Sequence, residues 1–337
     1  MLSLDKVFNA QSVLKSIIRE TNMVRAYGIA PDCELFLKPE NLQITGSFKV
    51  RGSAYKIAML SDEEKEKGVI ACSAGNHAQG VALAATKNGI RSLICLPDTA
   101  PISKVEATKG FGADVCLVEG CYDDAYQRAL ELKDSEGYTF VHPFDDENVI
   151  AGQGTIALEV LSELDDVDAI VVPVGGGGLV SGIAYTAKQI RPSVKVYGVQ
   201  VTGAPSMYNS INKGNIESLK SVSTIADGIA VKKPGENTYA LVKEYVDDIA
   251  LVSDDEVASA ILALMEKQKM IAEGAGAAAV AAVMFNKFDL KGKKVSIGAA
   301  GSGVYFNAID ILMFGKLLVH RQRHIYAGTG GNVVCNE

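Results

Sequence analysis

Over most of its length the chain alternates short, β-branched apolar runs with segments whose apolar positions recur at helical spacing. Gly68 to Cys72, Arg91 to Leu96, Asp114 to Glu119 and Tyr138 to His142 predict strands. Between them, Asn76 to Lys87, Ile102 to Lys109 and Asp123 to Lys133 predict helices. A second series opens with a helix from Gly152 to Leu164, followed by a strand from Ala169 to Val174, a helix from Leu179 to Ile190 and a strand from Val194 to Val201. Asp254 to Lys267 predicts a helix capped by Ser253 or Asp254, Ala275 to Phe285 an Ala-rich helix, and Lys294 to Ile297 a last strand. Strand–helix alternation is the pattern of βαβ units and parallel sheets. The fold expected is α/β, with two lobes of open, mostly parallel twisted sheets flanked by helices. Ligands of such sheets bind in the crevice where strand ends meet helix starts.

The 337 residues suit two domains at about 150 residues each. With 33 Lys and Arg against 40 Asp and Glu, the net charge of −7 argues against a nucleic-acid partner. No run approaches the roughly 18 apolar residues of a membrane span, and Met1 to Glu20 mixes acids and bases unlike a signal peptide. No membrane partner is expected, and a cytoplasmic location is. The six cysteines form no C-x-x-C pair and are expected as free thiols, while the four histidines supply no paired metal ligands. Of these, His320 and His324 have i, i+4 spacing but sit in a basic tail.

The anomaly is glycine: 33 residues, against a usual share of about 7%, and clustered. Gly175-Gly176-Gly177-Gly178 falls between the strand ending in Val174 and the next helix. Converging N–H groups at a helix start favour a phosphate there. A dinucleotide fold needs G-x-G-x-x-G and a later acid, but Gly182 comes one place late and Gln200 stands where the acid would be. In a second cluster, Thr45-Gly46-Ser47-Phe48-Lys49-Val50-Arg51-Gly52, Lys49 enters the first turn of a predicted helix. The helix N-terminus disfavours a cation there and would favour the free amine of Schiff-base chemistry, but taken alone the position reads first as a solvated lysine. A third, Ser73-Ala74-Gly75-Asn76-His77-Ala78-Gln79-Gly80, offers N–H groups to a carboxylate and the Asn76 amide to a phenolic oxygen. His77 reads there as a structural hydrogen-bonder ahead of an acid–base catalyst.

Taken in order, TGSFKVRG, SAGNHAQG, GGGGL, TIADGIAV and EGAGA resemble the fold-type II pyridoxal-phosphate enzymes, which share a tryptophan-synthase β-like fold. Within that family the similarity is to the threonine (serine/threonine) dehydratases, or ammonia-lyases, from about residue 10 to residue 297. The resemblance implies pyridoxal 5'-phosphate as cofactor and conversion of L-threonine to 2-oxobutanoate and ammonia by β-elimination, with pyruvate formed from serine. It makes Lys49 the lysine that holds the cofactor and then acts as base. Phe48 would lie near the ring, Asn76 would bond the 3-hydroxyl, and Gly175, Gly176, Gly177 and Gly178 would cradle the phosphate. Gly228 and Glu273 would line the site, and Ser73, Ala74, Gly75, Asn76 and His77 would bind the substrate carboxylate. It implies a large cofactor-binding domain of residues 1–51 and 143–337, a small substrate-binding domain of residues 52–142, and a homo-oligomer, dimer or tetramer.

Several positions depart from relatives on this scaffold. Serine racemases place a serine where Ala74 stands, and alanine cannot move a proton. They also hold a divalent cation with carboxylates around the positions of Gln200 and Ser206, so no metal is expected here. Cysteine and threonine synthases usually read Lys-Asp-Arg where this chain has Lys49-Val50-Arg51. Dehydratases usually follow their last strand with Ser-Gly-Gly-Asn, whose serine bonds the pyridine nitrogen. Here Gly298-Ala299-Ala300-Gly301-Ser302-Gly303 follows, which puts Ala299 at the ungapped position and makes Ser302 the expected partner. Thr329 to Asn332 resembles that segment without a strand before it. After Arg323 too few residues remain for a regulatory domain. The alternatives are a racemase-like or other hydroxy-amino-acid enzyme and a cofactor-binding protein with weak lyase activity.

Overall fold

The computed structural model describes residues 1–298. Ser302, His320, His324 and the segment from Thr329 to Asn332 lie outside the described residues. The chain opens with α1 (Leu4–Leu14), entered through Ser3, whose hydroxyl accepts the Lys6 N–H at 3.3 Å. Two short strands, β1 (Val24–Arg25) and β2 (Glu34–Leu37), precede α2 (Lys49–Ala58) and α3 (Asp62–Lys67). Then come β3 (Val69–Cys72), α4 (Asn76–Lys87), β4 (Ser92–Pro97), α5 (Ile102–Gly110), β5 (Asp114–Val118), α6 (Tyr122–Glu136) and β6 (Thr139–Phe140). These four strands form one all-parallel sheet in the order β5-β4-β3-β6.

The chain continues through α7 (Glu147–Glu163), β7 (Ala169–Pro173), α8 (Gly178–Ile190), β8 (Lys195–Val201) and α9 (Ser206–Lys213). The last elements among the described residues are α10 (Glu236–Tyr245), β9 (Asp248–Val252), α11 (Asp254–Ala263), α12 (Gly274–Met284) and β10 (Lys294–Ile297). The second sheet has the order β1-β2-β10-β7-β8-β9, parallel except for β1. Its centre, β7, reads Ala-Ile-Val-Val-Pro and is buried at every position, as a strand covered by helices on both faces must be.

The α/β class and the strand–helix alternation are as expected from sequence, and the departures have local causes. α7 begins at Glu147 rather than Gly152, because the Asp146 carboxylate accepts the N–H groups of Asn148 and Val149 at 2.8 and 3.1 Å. The helix after Ser253 keeps α geometry only to Ala263, and a π turn, Leu264–Gln268, stops at Lys269 with φ +55°. The periodicity of the sequence does not announce α1, β1, β2, α3, α9, α10 or β9. β1 has two residues and α3 buries no side chain, so neither carries a usable periodicity.

Helices α2, α4 and α7 cross where glycines let their backbones meet. A Cβ on Gly52 would lie 2.7 Å from the Val149 carbonyl oxygen, one on Gly152 2.6 Å from that of Arg51, and one on Gly80 3.1 Å from the Lys49 carbonyl carbon. Behind this crossing lies a buried ion cluster. Arg51 grips Glu40 through two bonds, Nε to Oε2 at 2.9 Å and Nη2 to Oε1 at 2.8 Å. It also reaches Glu159 of α7 at 2.5 and 2.9 Å and the Thr155 hydroxyl at 3.1 Å. Lys38 meets Glu159 at 2.7 Å and Glu163 at 3.2 Å, and the Thr21 hydroxyl donates to Glu40 at 2.5 Å. Burial works against the Arg51 charge, but the Glu40 and Glu159 carboxylates hold its pKa above the ordinary value.

Removing one member of such a cluster strands its partner in a dry interior. Arg51→Met is therefore expected to lower unfolding free energy in urea by about 3–5 kcal/mol, and adding Glu40→Gln to recover part of the loss. A loss below about 1 kcal/mol, the size of an exposed pair, would contradict this assignment.

Candidate active site

Lys49 opens α2. The turn before it is made by Gly46, at φ +68°, whose N–H donates to the Gln43 carbonyl at 2.8 Å. The Ser47 hydroxyl accepts the Lys49 N–H at 3.2 Å, satisfying one of the free donors of the helix start. The side chain enters a cavity, where Nζ donates to the Pro143 carbonyl at 3.1 Å and lies 5.5 Å from the centre of the Phe48 ring. Burial pushes its pKa down to about 8, with the Glu273 carboxylate pulling the other way. The direction matches what the sequence position suggested, but the main cause is desolvation by the surrounding fold.

The same cavity is lined by Asn76, Phe144, Gly175, Gly176, Gly177, Gly178, Gly228 and Glu273. The four consecutive glycines leave β7 and enter α8, and none of their N–H groups meets an acceptor among the described residues. Gly177 sits at φ +102°, which L side chains rarely adopt. A Cβ on Gly176 would lie 2.5 Å from the Phe144 ring, and one on Gly178 2.8 Å from the Phe144 carbonyl oxygen. The loop is therefore pressed onto Phe144, and its open amides at a helix start suit an anion.

Asn76, first residue of α4, donates Nδ2 to the two Glu273 oxygens at 3.2 and 3.4 Å. Burial, reinforced by the Asp227 charge, raises the Glu273 pKa to about 8 against the bond from Asn76. A Cβ on Gly228 would lie 2.7 Å from the Glu273 carboxylate, so that glycine gives the carboxylate its room.

Of the Ser73–His77 loop, only Asn76 reaches the cavity wall. Ser73, Ala74 and Gly75 are half-buried just before it, and the Ser73 hydroxyl accepts the Gly75 N–H at 3.1 Å. The His77 ring is buried, with Nε2 2.8 Å from the Val141 carbonyl oxygen and Nδ1 3.4 Å from the Ser53 hydroxyl. Burial, aided by the Lys49 charge, pushes its pKa down to about 3. A neutral ring bonded to a carbonyl shapes the loop. Gln200 uses both ends of its amide, donating to the Val174 carbonyl at 3.1 Å and accepting the Tyr208 N–H at 2.8 Å. Ser302 lies outside the described residues.

Phe144 was not singled out from sequence. The signal present was the run of glycines itself, since bare Cα atoms at alternate positions imply something bulky against them. Nothing local says which residue that is.

The cavity suits a ligand with a phosphate and an aldehyde, because it brings open amides and a buried amine together. Pyridoxal phosphate has both groups. A family model described as "Pyridoxal-phosphate dependent enzyme" matches residues 14–301. The chain is 49% identical over 331 residues to L-threonine ammonia-lyase of Thermotoga maritima, covering 98% of this chain and 82% of that one. It is 44% identical over 306 residues to the catabolic L-threonine dehydratase TdcB of Escherichia coli, covering 89% and 93%. Among solved structures, the processed threonine deaminase isoform 2 of Solanum lycopersicum superposes with a TM-score of 0.89 at 36% identity, covering 94% and 88%. Maize serine racemase superposes with a TM-score of 0.87 at 32% identity, covering 96% and 99%.

If burial sets the basicity of Lys49, an amine-selective reagent should label it in the ligand-free protein at a rate rising through pH 8, where the neutral form takes over. Exposed lysines should keep gaining reactivity toward about pH 10. A Lys49 profile that follows theirs would refute this account.

Proposed function

The chain belongs to the pyridoxal-phosphate-dependent enzyme family, and on that premise we propose that it is an L-threonine ammonia-lyase. It converts L-threonine to 2-oxobutanoate and ammonia, and L-serine to pyruvate and ammonia. The observation that carries the reading is the meeting of the Lys49 amine with the open amides of Gly175 to Gly178 in one cavity. The 49% identity to a threonine ammonia-lyase across 98% of the chain supports the choice of reaction.

In this reading Lys49 holds the cofactor, the N–H groups of Gly175, Gly176, Gly177 and Gly178 hold its phosphate, and Asn76 donates to its 3-hydroxyl oxygen. Phe48, Gly228 and Glu273 surround the ring, and Ser302 is the candidate partner of the pyridine nitrogen. The start of α4, with Ser73, Ala74, Gly75, Asn76 and His77, takes the substrate carboxylate, as a helix N-terminus with free N–H groups does. When bound, pyridoxal phosphate supplies an electron sink that makes the α-proton of an amino acid acidic. The Lys49 amine would take that proton at Nζ, and burial favours its neutral form for the task. Ala74 has no proton to give on the far side of the substrate. That separates the chain from a racemase despite its similarity to maize serine racemase.

The proposal includes a cofactor-binding domain of residues 1–51 and 143–337 and a substrate-binding domain of residues 52–142. The four-stranded sheet, drawn wholly from Val69 to Phe140, supports that division. It also includes a cytoplasmic homo-oligomer. Tyr27, Leu42 and Ile271 are exposed on segments joined by bonds from Gln268 to the Tyr27 carbonyl and from Asn41 to the Ile271 carbonyl, an apolar surface that suits a second copy. No helix among the described residues is long and apolar enough to cross a membrane.

The purified protein should absorb in the visible with pyridoxal phosphate, and Lys49→Ala should abolish that band. With L-threonine, 2-oxobutanoate and ammonia should appear in equal amounts. A band without either product would leave a cofactor-binding protein in place of a lyase, and D-serine as the main product from L-serine would overturn the Ala74 argument.

A further inference from the structure

Behind the glycine loop lies a layer of hydrogen bonds that the proposed reaction does not use. Thr238, fully buried in the first turn of α10, donates its hydroxyl to the Gly176 carbonyl at 2.6 Å, well inside its 3.3 Å distance to the Gly235 carbonyl. The Thr238 N–H donates to Asp145 Oδ1 at 3.0 Å, and the Glu236 N–H to Asp145 Oδ2 at 3.0 Å. One carboxylate thus caps α10 and seats the threonine that grips the loop. The surroundings leave little slack: a Cβ on Gly177 would lie 2.8 Å from Thr238 Cβ, and one on Gly235 2.2 Å from Asp145 Cγ.

A trans peptide is planar, so the Gly176 carbonyl and the Gly177 N–H point in opposite directions. Holding the carbonyl toward Thr238 aims the amide away from it. Gly177 lines the cavity and Thr238 does not. With glycine on both sides, this peptide has little else to stop it turning over. The only other donor to the Gly176 carbonyl among the described residues is the Gly235 N–H, at 3.5 Å.

We propose that Thr238, seated by Asp145, is a positioning residue that keeps the Gly177 amide turned into the cradle and so makes the site select a phosphorylated ligand. The inference rests on the cofactor reading above and adds to it a residue outside the cavity wall. Thr238 touches no ligand and acts only through the loop.

The test compares pyridoxal phosphate with pyridoxal, which lacks only the phosphate, by titrating each into the ligand-free protein and following visible absorbance. Thr238→Val keeps the shape and removes the hydroxyl. It should weaken pyridoxal phosphate about tenfold, equivalent to about 1.4 kcal/mol, and leave pyridoxal within about twofold of wild type. Thr238→Ser should recover the phosphate-dependent affinity, and Asp145→Ala should repeat the selective loss. Equal losses for both ligands, or no rescue by serine, would mean a general packing role and overturn the proposal. Unchanged pyridoxal phosphate affinity in Asp145→Ala would break the relay as stated. A wild type that develops no band would overturn the cofactor reading as well, whereas a normal wild type with an unaffected Thr238→Val would overturn this inference alone.

Discussion

A fully buried guanidinium is the constraint on which the rest of the site depends. Arg51 lies two residues beyond Lys49 on α2, and its two bonds to Glu40 and two to Glu159 tie the start of that helix to the segment after β2 and to α7. Desolvating such charges costs several kcal/mol each, and a cluster of this kind persists only when it is complete. Here Arg51 pairs with Glu40 and Glu159, Lys38 with Glu159 and Glu163, and the Thr21 and Thr155 hydroxyls add further bonds. With its back held, α2 cannot withdraw from the cavity. Its first side chain stays where burial depresses the amine to about pH 8.

Glycine has two structural uses around this helix. At Gly52, Gly80 and Gly152 its missing side chain lets α2, α4 and α7 approach backbone to backbone, which brings Lys49 and Asn76 onto neighbouring helix starts. At Gly176, Gly177 and Gly178 it lets the loop press against Phe144, Met207 and Thr238 while lining the cavity. The composition flagged the excess but could not separate the uses, because a glycine at a helix crossing and one in an anion-binding turn look alike in a sequence.

In the proposed reading, the cavity holds its anion with amides instead of side-chain cations. A second buried cation in place of the glycine loop would have to be desolvated and paired, whereas N–H dipoles at a helix start bring partial charge that the fold has already oriented. At the wall, burial lowers the basicity of Lys49 and raises the Glu273 carboxylate, and burial also holds the His77 ring neutral.

Much of this was legible from the residues in order. Apolar runs of four to six residues at Val69–Cys72 and Ser92–Pro97 gave away parallel strands, and the Thr-Gly-Ser entry before Lys49 and the glycines after β7 marked turns of special geometry. These are local properties: periodicity decides which face is buried, and glycine or a capping hydroxyl decides how a turn is made. Other features were decided only when distant segments met. Arg51 and Glu159 are 108 residues apart, Thr238 and Gly176 are 62 apart, and Asn76 and Glu273 are 197 apart. Nothing in the neighbourhood of any of these residues names its partner. The sequence by itself marked a lysine at a helix start and a glycine-rich turn between a strand and a helix. Only the packing of the helices and strands decided that they face one cavity, that desolvation lowers the basicity of the lysine, and which side chains behind the wall hold both in place.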